Sequence, residues 1–326
     1  QQGRARLHLR VESDGSALLI INAARFLHLN PSAAFMAHLI LQQVTPRAAT
    51  NALVRRYQVT PTQARQDYAD FCSKLEALLD PDGPCPVCEL DLETTTPFSA
   101  HPSAPYRMDL AITYRCNNAC DHCYNDRPRN HPELSTQTWK RILDKLWQTG
   151  IPHIVFTGGE PTLRDDLPEL IAYAEQLGQI TGLNTNGRRL SDPNYLQSLV
   201  NVGLDHVQIT LESHDPILHD RMVRSPGAWQ ETVAGIRNAL TSRLYVMTNT
   251  TMLQSNSRFL FQTLQFLGQL GVPTIGLNAL IYAGHGARVG SGLPAGDLPA
   301  LLEMARTLTE QQGQRLIWYT PTQYFH

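Results

Sequence analysis

The run Met108-Asp109-Leu110-Ala111-Ile112-Thr113-Tyr114-Arg115-Cys116-Asn117-Asn118-Ala119-Cys120-Asp121-His122-Cys123 joins a strand signal to a metal-ligand signal. Its first half, Met108–Tyr114, is apolar and β-prone and predicts a strand. Its second half sets three cysteines in C-x-x-x-C-x-x-C spacing on the loop that follows. Three thiolates on one loop can hold three corners of a cubane [4Fe–4S] cluster and leave the fourth iron without a protein ligand. Two alternatives stay open on spacing alone: a zinc site with His122 or a distant residue as fourth ligand, and three buried structural cysteines.

Downstream of this run, strands and helices alternate. Strands are expected at His153–Thr157, Ile180–Asn186, His206–Leu211, Leu244–Thr251 and Thr274–Ile281. Helices are expected near Thr136–Gln148, Leu167–Leu177, Asn194–Val202, Trp229–Thr241, Ser257–Leu270 and Asp297–Gln312. Six β/α units in succession predict a parallel sheet whose right-handed crossovers curl it toward a barrel. In such folds ligands bind at the C-terminal ends of strands. The cysteine loop ends the first strand, and Phe156-Thr157-Gly158-Gly159-Glu160-Pro161 ends the second. Gly158 and Gly159 let backbone approach a ligand closely, and Glu160 offers a carboxylate to an ammonium group.

Upstream, strand-like runs at Ala5–Val11, Ser16–Asn22 and Arg25–Leu29 precede a switch to helical period. Phe35, Met36, Leu39, Ile40 and Val44 share one helical face, and a second helix is expected from Pro46 to about Tyr57. A third starts at Thr60, which forms a capping box with Gln63 and has Pro61 at the first helical position. Cys72 falls on that helix's apolar stripe and is expected in its core. From Asp80 to Pro105 the composition turns to Pro, Thr, Ser and Asp, a linker that holds Cys85-Pro86-Val87-Cys88. That pair fits an auxiliary cluster, zinc with outside ligands, a redox-labile dithiol, or no metal at all.

Composition sets the outer limits. In 326 residues, 42% are apolar and 17% charged, which supports a large folded core and excludes global disorder. Lys+Arg 27 against Asp+Glu 29 gives a net charge of -2, with no footprint for a nucleic acid or a polybasic membrane anchor. Ala17–Ile21 is too short for a signal peptide or a membrane span, and a cytoplasmic location is expected. Six cysteines are too few for a disulfide scaffold. The chain begins at Gln1 and stops at His326, so a piece of a longer product is expected.

With these motifs in hand, the chain resembles the radical S-adenosylmethionine enzymes. Their C-x-x-x-C-x-aromatic-C motif is matched by Cys116, Cys120, His122 and Cys123, and their Gly-Gly-Glu motif by Gly158, Gly159 and Glu160. The resemblance implies that S-adenosylmethionine chelates the open iron and is cleaved reductively to methionine and a 5′-deoxyadenosyl radical, with His122 lying along the adenine. Asn184-Thr185-Asn186-Gly187 and Gln208-Ile209-Thr210-Leu211-Glu212 resemble the family's third and fourth strand ends. His219-Asp220-Arg221-Met222-Val223-Arg224 resembles its His-Asp-x-x-Arg element with one residue more before the arginine, and with Ser225 in place of the usual glycine and Glu212 in place of the usual aspartate. Asn184, Thr210 and Arg224 are thereby expected at the cofactor, Arg224 on the methionine carboxylate. Asn249 and Asn256 are weaker candidates, balanced against ordinary strand-end amides.

The chain also resembles the peptide-modifying maturases of the SPASM-type branch. Residues 5–79 are similar in element order to the peptide chaperone of pyrroloquinoline-quinone biosynthesis, a RiPP recognition element that implies a winged-helix-like α+β domain. The expected division is a leader-binding domain over 1–79, a linker over 80–105, a partial (β/α)6 barrel over 106–315, and over 316–326 the start of a C-terminal SPASM-type region with room for auxiliary iron–sulfur clusters. Gly284-His285-Gly286-Ala287-Arg288 and Tyr319-Thr320-Pro321-Thr322 resemble the run into that region. The function implied is an oxidoreductase that abstracts hydrogen from a ribosomally made precursor peptide, ending in a cross-link, an epimerised centre or an oxidative change. Its partners would be the precursor and an electron donor such as flavodoxin or ferredoxin, with no nucleic acid and no membrane. An activase acting on a partner enzyme and a non-enzymatic iron–sulfur peptide-binding scaffold are the rival readings. No general base can be named.

Overall fold

A computed structural model describes residues 6–22, 25–79, 102–125 and 127–320. The chain divides into two compact units, Gln1–Tyr106 and Arg107–His326. The first opens with an antiparallel meander of β1 (Leu7–Val11), β2 (Ala17–Ile21) and β3 (Arg25–Leu29), with β2 in the centre and Leu19 opposite both Leu9 and Leu27. Gly15 takes a left-handed φ of 86° in the first turn, and the Asp14 carboxylate accepts the Ser16 amide at 2.9 Å to close it.

Three helices follow: α1 (Pro31–Leu41), α2 (Pro46–Tyr57) and α3 (Pro61–Leu79). Each starts on a proline preceded by a side-chain cap, Asn30 to the Ala33 amide, Thr45 to Ala48 and Thr60 to Gln63. The capping box is half made, because the Gln63 amide group turns instead to Asp67 at 2.6 Å. Leu75 and Leu78 of α3 pack under Leu19 and Ile21, with Leu27 and Leu29 alongside, so β3 turns alternate residues to that core. Cys72 packs against the helical core around Leu53 and Tyr68. Cys85 and Cys88 lie outside the described residues.

The second unit is a parallel sheet in the order β10-β9-β8-β7-β6-β5-β4. Its strands are β4 (Arg107–Thr113), β5 (His153–Gly158), β6 (Ile180–Thr185), β7 (His206–Thr210), β8 (Tyr245–Met252), β9 (Thr274–Ala279) and β10 (Arg315–Trp318). Helices α4 (Thr136–Gln148), α5 (Leu167–Leu177), α6 (Pro193–Asn201), α7 (Pro216–Val223), α8 (Ala228–Leu240), α9 (Leu260–Leu270) and α10 (Leu298–Gln311) connect them. Ile154, Phe156, Leu183, Val207 and Ile209 are fully buried in the strands, as are Leu170, Ile171 and Leu199 in the helices.

Two expectations change. The sheet has seven strands where six β/α units were expected: Leu316 pairs in parallel with Ile275, so Leu316–Trp318 belong to the edge strand of the barrel sheet where a new region was expected to begin. Only four residues long, β10 gives too short a pattern to read as a strand from sequence. The second is α7, which was not anticipated; Pro216 begins it and the Asp215 carboxylate accepts the Ile217 and Leu218 amides. No helix among the described residues is long and apolar enough to cross a membrane.

Candidate active site at the strand ends

The cysteine loop is held by backbone contacts from several neighbouring strand ends. A register shift between Ala111 and Thr113 in the β4–β5 pairing re-aims the chain just before the loop. Beyond it, the Gly159 amide donates to the Thr113 carbonyl and the Glu160 amide to the Arg115 carbonyl, both at 2.7 Å. Further round the loop, the Ala119 and Asp121 amides donate to the Val223 and Met222 carbonyls at the end of α7, at 2.9 and 3.2 Å. The amides of His285 and Gly286 close the far side on the Cys123 carbonyl, at 2.8 and 3.2 Å.

Gly158 and Gly159 are glycines for a reason the sequence only half reveals. Gly158 has a φ of 137°, and a Cβ there would stand 2.0 Å from the Thr113 carbonyl oxygen. At Gly159 a Cβ would stand 2.2 Å from that of Arg115. The close approach is therefore to the protein's own cysteine loop as well as to the cavity that both glycines border.

Cys116, Cys120 and Cys123 are free, half-buried and line one cavity of about 710 Å³. Burial pushes the Cys116 and Cys120 thiols up, so ionising them there calls for a bound cation. Asn184 on β6 and Thr210 on β7 border the same cavity, as does His122. Asn249 also reaches it; its amide nitrogen donates to Asn278 Oδ1 at 2.7 Å while its own Oδ1 is buried without a partner. Asn256 lies elsewhere, capping the Leu253 amide and donating to the Glu212 and Thr251 carbonyls.

Glu160 and Arg224 do not stand where they were expected. The Glu160 side chain is fully buried, its Oε1 accepting from the Thr162 amide and the hydroxyls of Thr162 and Thr185, its Oε2 from the Asn186 amide at 2.7 Å. Four donors engage the carboxylate, three on Oε1 and one on Oε2, which ties the ends of β5 and β6 together, and Glu160 is not among the residues that line the cavity. Burial nevertheless raises its pKa. Arg224 sits at the C-cap of α7 with a φ of 50°, its side chain 65% exposed and paired with Asp121. The helix end turns it away from the cavity.

His122 is anchored. Its Nε2 lies 2.8 Å from Glu212 Oε1, whose other oxygen accepts the Thr251 amide at 2.9 Å. Burial alone would lower the imidazole's pKa, but the charge of Glu212 and the hydrogen bond to it outweigh that and raise it. Arg188 is the site residue that sequence reasoning missed, and the tie of Glu212 to His122 was not anticipated. The Arg188 guanidinium donates to the Asn117 carbonyl, Asn118 Oδ1 and Ser225 Oγ at 2.7–2.9 Å, and so joins the cysteine loop to the strand ends. No spacing signal marks it; only its position just after Asn186-Gly187 does.

Among the described residues, no three His, Cys, Asp or Glu side chains converge where they would ligate a single metal ion. A cubane spreads its ligands over separate irons, so its thiolates need not meet at a point.

Residues 110–258 match the model of the Radical SAM superfamily. The barrel is a radical SAM domain. Residues 15–78 match Coenzyme PQQ synthesis protein D. The chain is 34% identical over 180 residues to the Fe-coproporphyrin III synthase of Methanosarcina barkeri, covering 55% of this chain and 45% of that one. It is 31% identical over 217 residues to the PqqA peptide cyclase of Ruegeria pomeroyi, covering 65% and 57%. The chain thus spans about half the length of these relatives. In fold it is similar to Streptococcus suis SuiB bound to precursor peptide SuiA, with a TM-score of 0.68 at 14% identity over 98% of this chain and 72% of that one. The family implies a [4Fe–4S] cluster and S-adenosylmethionine. The three free thiols, the glycine backbone and the unpartnered Asn249 oxygen around one cavity fit that pair of groups.

Proposed function

We propose that the protein is a peptide maturase: a radical SAM oxidoreductase that abstracts hydrogen from a ribosomally made precursor whose leader binds the N-terminal unit. One observation carries the reading, the fusion of a PqqD-type domain to a radical SAM barrel in one chain. In the three-stranded meander, β1 and β3 are the outer strands. An outer strand presents N–H and C=O groups that an extended peptide can pair with, and β3 backs onto the apolar face of α3.

Cys116, Cys120 and Cys123 would hold the cluster, while the Gly158–Gly159 backbone, Asn184, Thr210 and His122 would border S-adenosylmethionine. When bound, this pair supplies a 5′-deoxyadenosyl radical at the cost of one electron from an external donor such as flavodoxin or ferredoxin. The chain's own residues bind, orient and shield. Glu160 locks the β5 and β6 ends, Arg188 and the 284–286 backbone fix the cysteine loop, and Glu212 fixes the His122 ring. No side chain in the cavity is assigned as a proton acceptor. Auxiliary clusters would need ligands from outside the described residues.

The relatives are divided, and the similarity to a porphyrin enzyme favours a second reading in which the barrel takes a tetrapyrrole. Both are tested by one comparison with the full chain, reconstituted anaerobically. The precursor with its leader should be modified at least tenfold faster than the core segment alone, and leader added in trans should restore much of the rate. Equal rates would remove the recognition role, and turnover of an iron porphyrin but no peptide would install the second reading.

A further inference from the structure

A second cavity, of about 410 Å³, shares a single lining residue, His122, with the main one. The floor of the smaller cavity is apolar, made by Leu218, Met222 and Leu253 with Val289 beside them. Two exposed guanidinium groups flank it, Arg221 on α7 and Arg258 on the turn before α9. Among the described residues neither has an ion-pair partner; Arg258 only lies over the Phe259 ring, 4.7 Å from its centroid. The nearby acids are already engaged: Asp121 with Arg224, Asp215 with the amides that start α7, and Asp220 with the Gly227 and Trp229 amides.

One residue that lines this cavity and not the main one has a polar side-chain atom without a partner: Ser291 Oγ is buried and makes no hydrogen bond. The buried Ser291 hydroxyl, an unpaired donor, beside two guanidinium groups without ion-pair partners asks for an acceptor with negative charge. Ile217, one turn away on α7, is 71% exposed and adds an apolar contact at the rim. The cavity is also next to the cysteines by covalent connection: Asp121 and His122, both on its lining, are the two residues between Cys120 and Cys123.

We propose that this cavity is the docking point for an acidic one-electron carrier protein, with a carboxylate of the carrier entering between Arg221 and Arg258. The inference rests on the radical SAM reading, because it is the cluster that takes the electron. The carrier is oxidised by one electron and the cluster reduced by one, with no atom transferred. The lining favours a carrier over a substrate, for the two cavities share only His122. A peptide has to reach the main cavity, where the strand ends converge, whereas an electron needs only proximity to the cysteine loop, and α7 bonds that loop directly through the Val223 and Met222 carbonyls.

The experiment compares reductants on the full reconstituted chain with excess S-adenosylmethionine, measuring 5′-deoxyadenosine release. Reduced flavodoxin and reduced [2Fe–2S] ferredoxin are the carrier probes, and dithionite is the small reductant that needs no docking. Reversing both charges in R221E/R258E should slow release driven by the better carrier about tenfold or more at low salt and flatten its salt dependence. Release driven by dithionite should stay within about twofold of wild type, and R221Q/R258Q should fall in between with the carrier. An unchanged carrier-driven rate overturns the proposal. So does an equal fall with dithionite, which would place the arginines in the peptide or cofactor path, and so does a wild-type chain that accepts electrons from dithionite but from neither carrier. A wild-type chain that releases nothing even with dithionite fails at the radical SAM reading itself, a different result.

Discussion

Replacing Gly159 by alanine places a methyl group where the cysteine loop already is. Its Cβ would stand 2.2 Å from the Arg115 carbonyl oxygen and 2.7 Å from that of Tyr114, inside the 3.0 Å that real Cβ atoms essentially never cross. Both obstacles are backbone, so no side chain can swing aside, and segment 113–115 has to retreat by roughly 1 Å. That retreat stretches two bonds now at 2.7 Å, Gly159 amide to Thr113 carbonyl and Glu160 amide to Arg115 carbonyl. Each is worth about 1 kcal/mol net, and more where the freed group stays buried, so a loss of about 2–4 kcal/mol is expected. For a unit of this size that is a fall in melting temperature of about 5–15 °C, read by differential scanning fluorimetry on the apo chain. Cys116 follows Arg115, so cluster loading, read by visible absorbance after reconstitution, should fall too. Gly296 is the control: no atom lies within 4 Å of a Cβ there, and Gly296→Ala should change stability by less than about 0.5 kcal/mol. A Gly159→Ala chain that melts within a degree or two of wild type and loads its cluster normally would refute the claim that the glycines serve the loop.

Three other substitutions separate the structural account from simpler readings. Glu160→Ala strands four buried donors and should cost about 3–5 kcal/mol by denaturant titration, a loss of fold stability where a ligand contact alone would lower only S-adenosylmethionine affinity. Arg224→Ala removes a side chain 65% exposed, and S-adenosylmethionine affinity measured by calorimetry should change less than about threefold, in keeping with the small worth of an exposed ion pair. His206 tests the sheet at the opposite strand ends, where its Nε2 meets that of His153 at 2.7 Å and the ring crosses over Gly182. Burial, helped by Arg107, lowers its pKa from 6.5 to about 4. The native state favours neutral imidazole, so this contribution is full above about pH 6.5 and is lost as pH falls toward 4, by about 3 kcal/mol at most. His206→Gln should flatten unfolding free energy across that window, and an unaltered slope would clear His206 of the effect.

Much of the architecture was legible because its signals are periodic. Helices over Thr136–Gln148 and Leu167–Leu177 match their expected spans to the residue, and the strand at His153 differs by one. That three cysteines border one cavity was legible because all three lie on one loop. Side-chain direction was not. Glu160 ends a motif whose chemistry suggests a ligand contact, yet two threonines and a backbone amide brought in by folding claim its carboxylate. Arg224 closes a run read as a binding element, whereas Pro216 and the Asp215 cap wind that run into a helix whose end turns the arginine outward. Arg188 and Glu212 act through partners 70 and 90 residues away, and no local pattern marks such pairs.

The central claim is that this barrel takes hydrogen from a peptide. It is tested most directly by incubating the reduced, reconstituted chain with S-adenosylmethionine and a uniformly deuterated precursor peptide, then measuring deuterium in the 5′-deoxyadenosine released. Deuterium should appear there with the wild-type chain and vanish when Cys116, Cys120 and Cys123 are replaced by alanine. Release of 5′-deoxyadenosine without deuterium while the peptide stays unmodified, or release that survives loss of all three cysteines, would contradict the account.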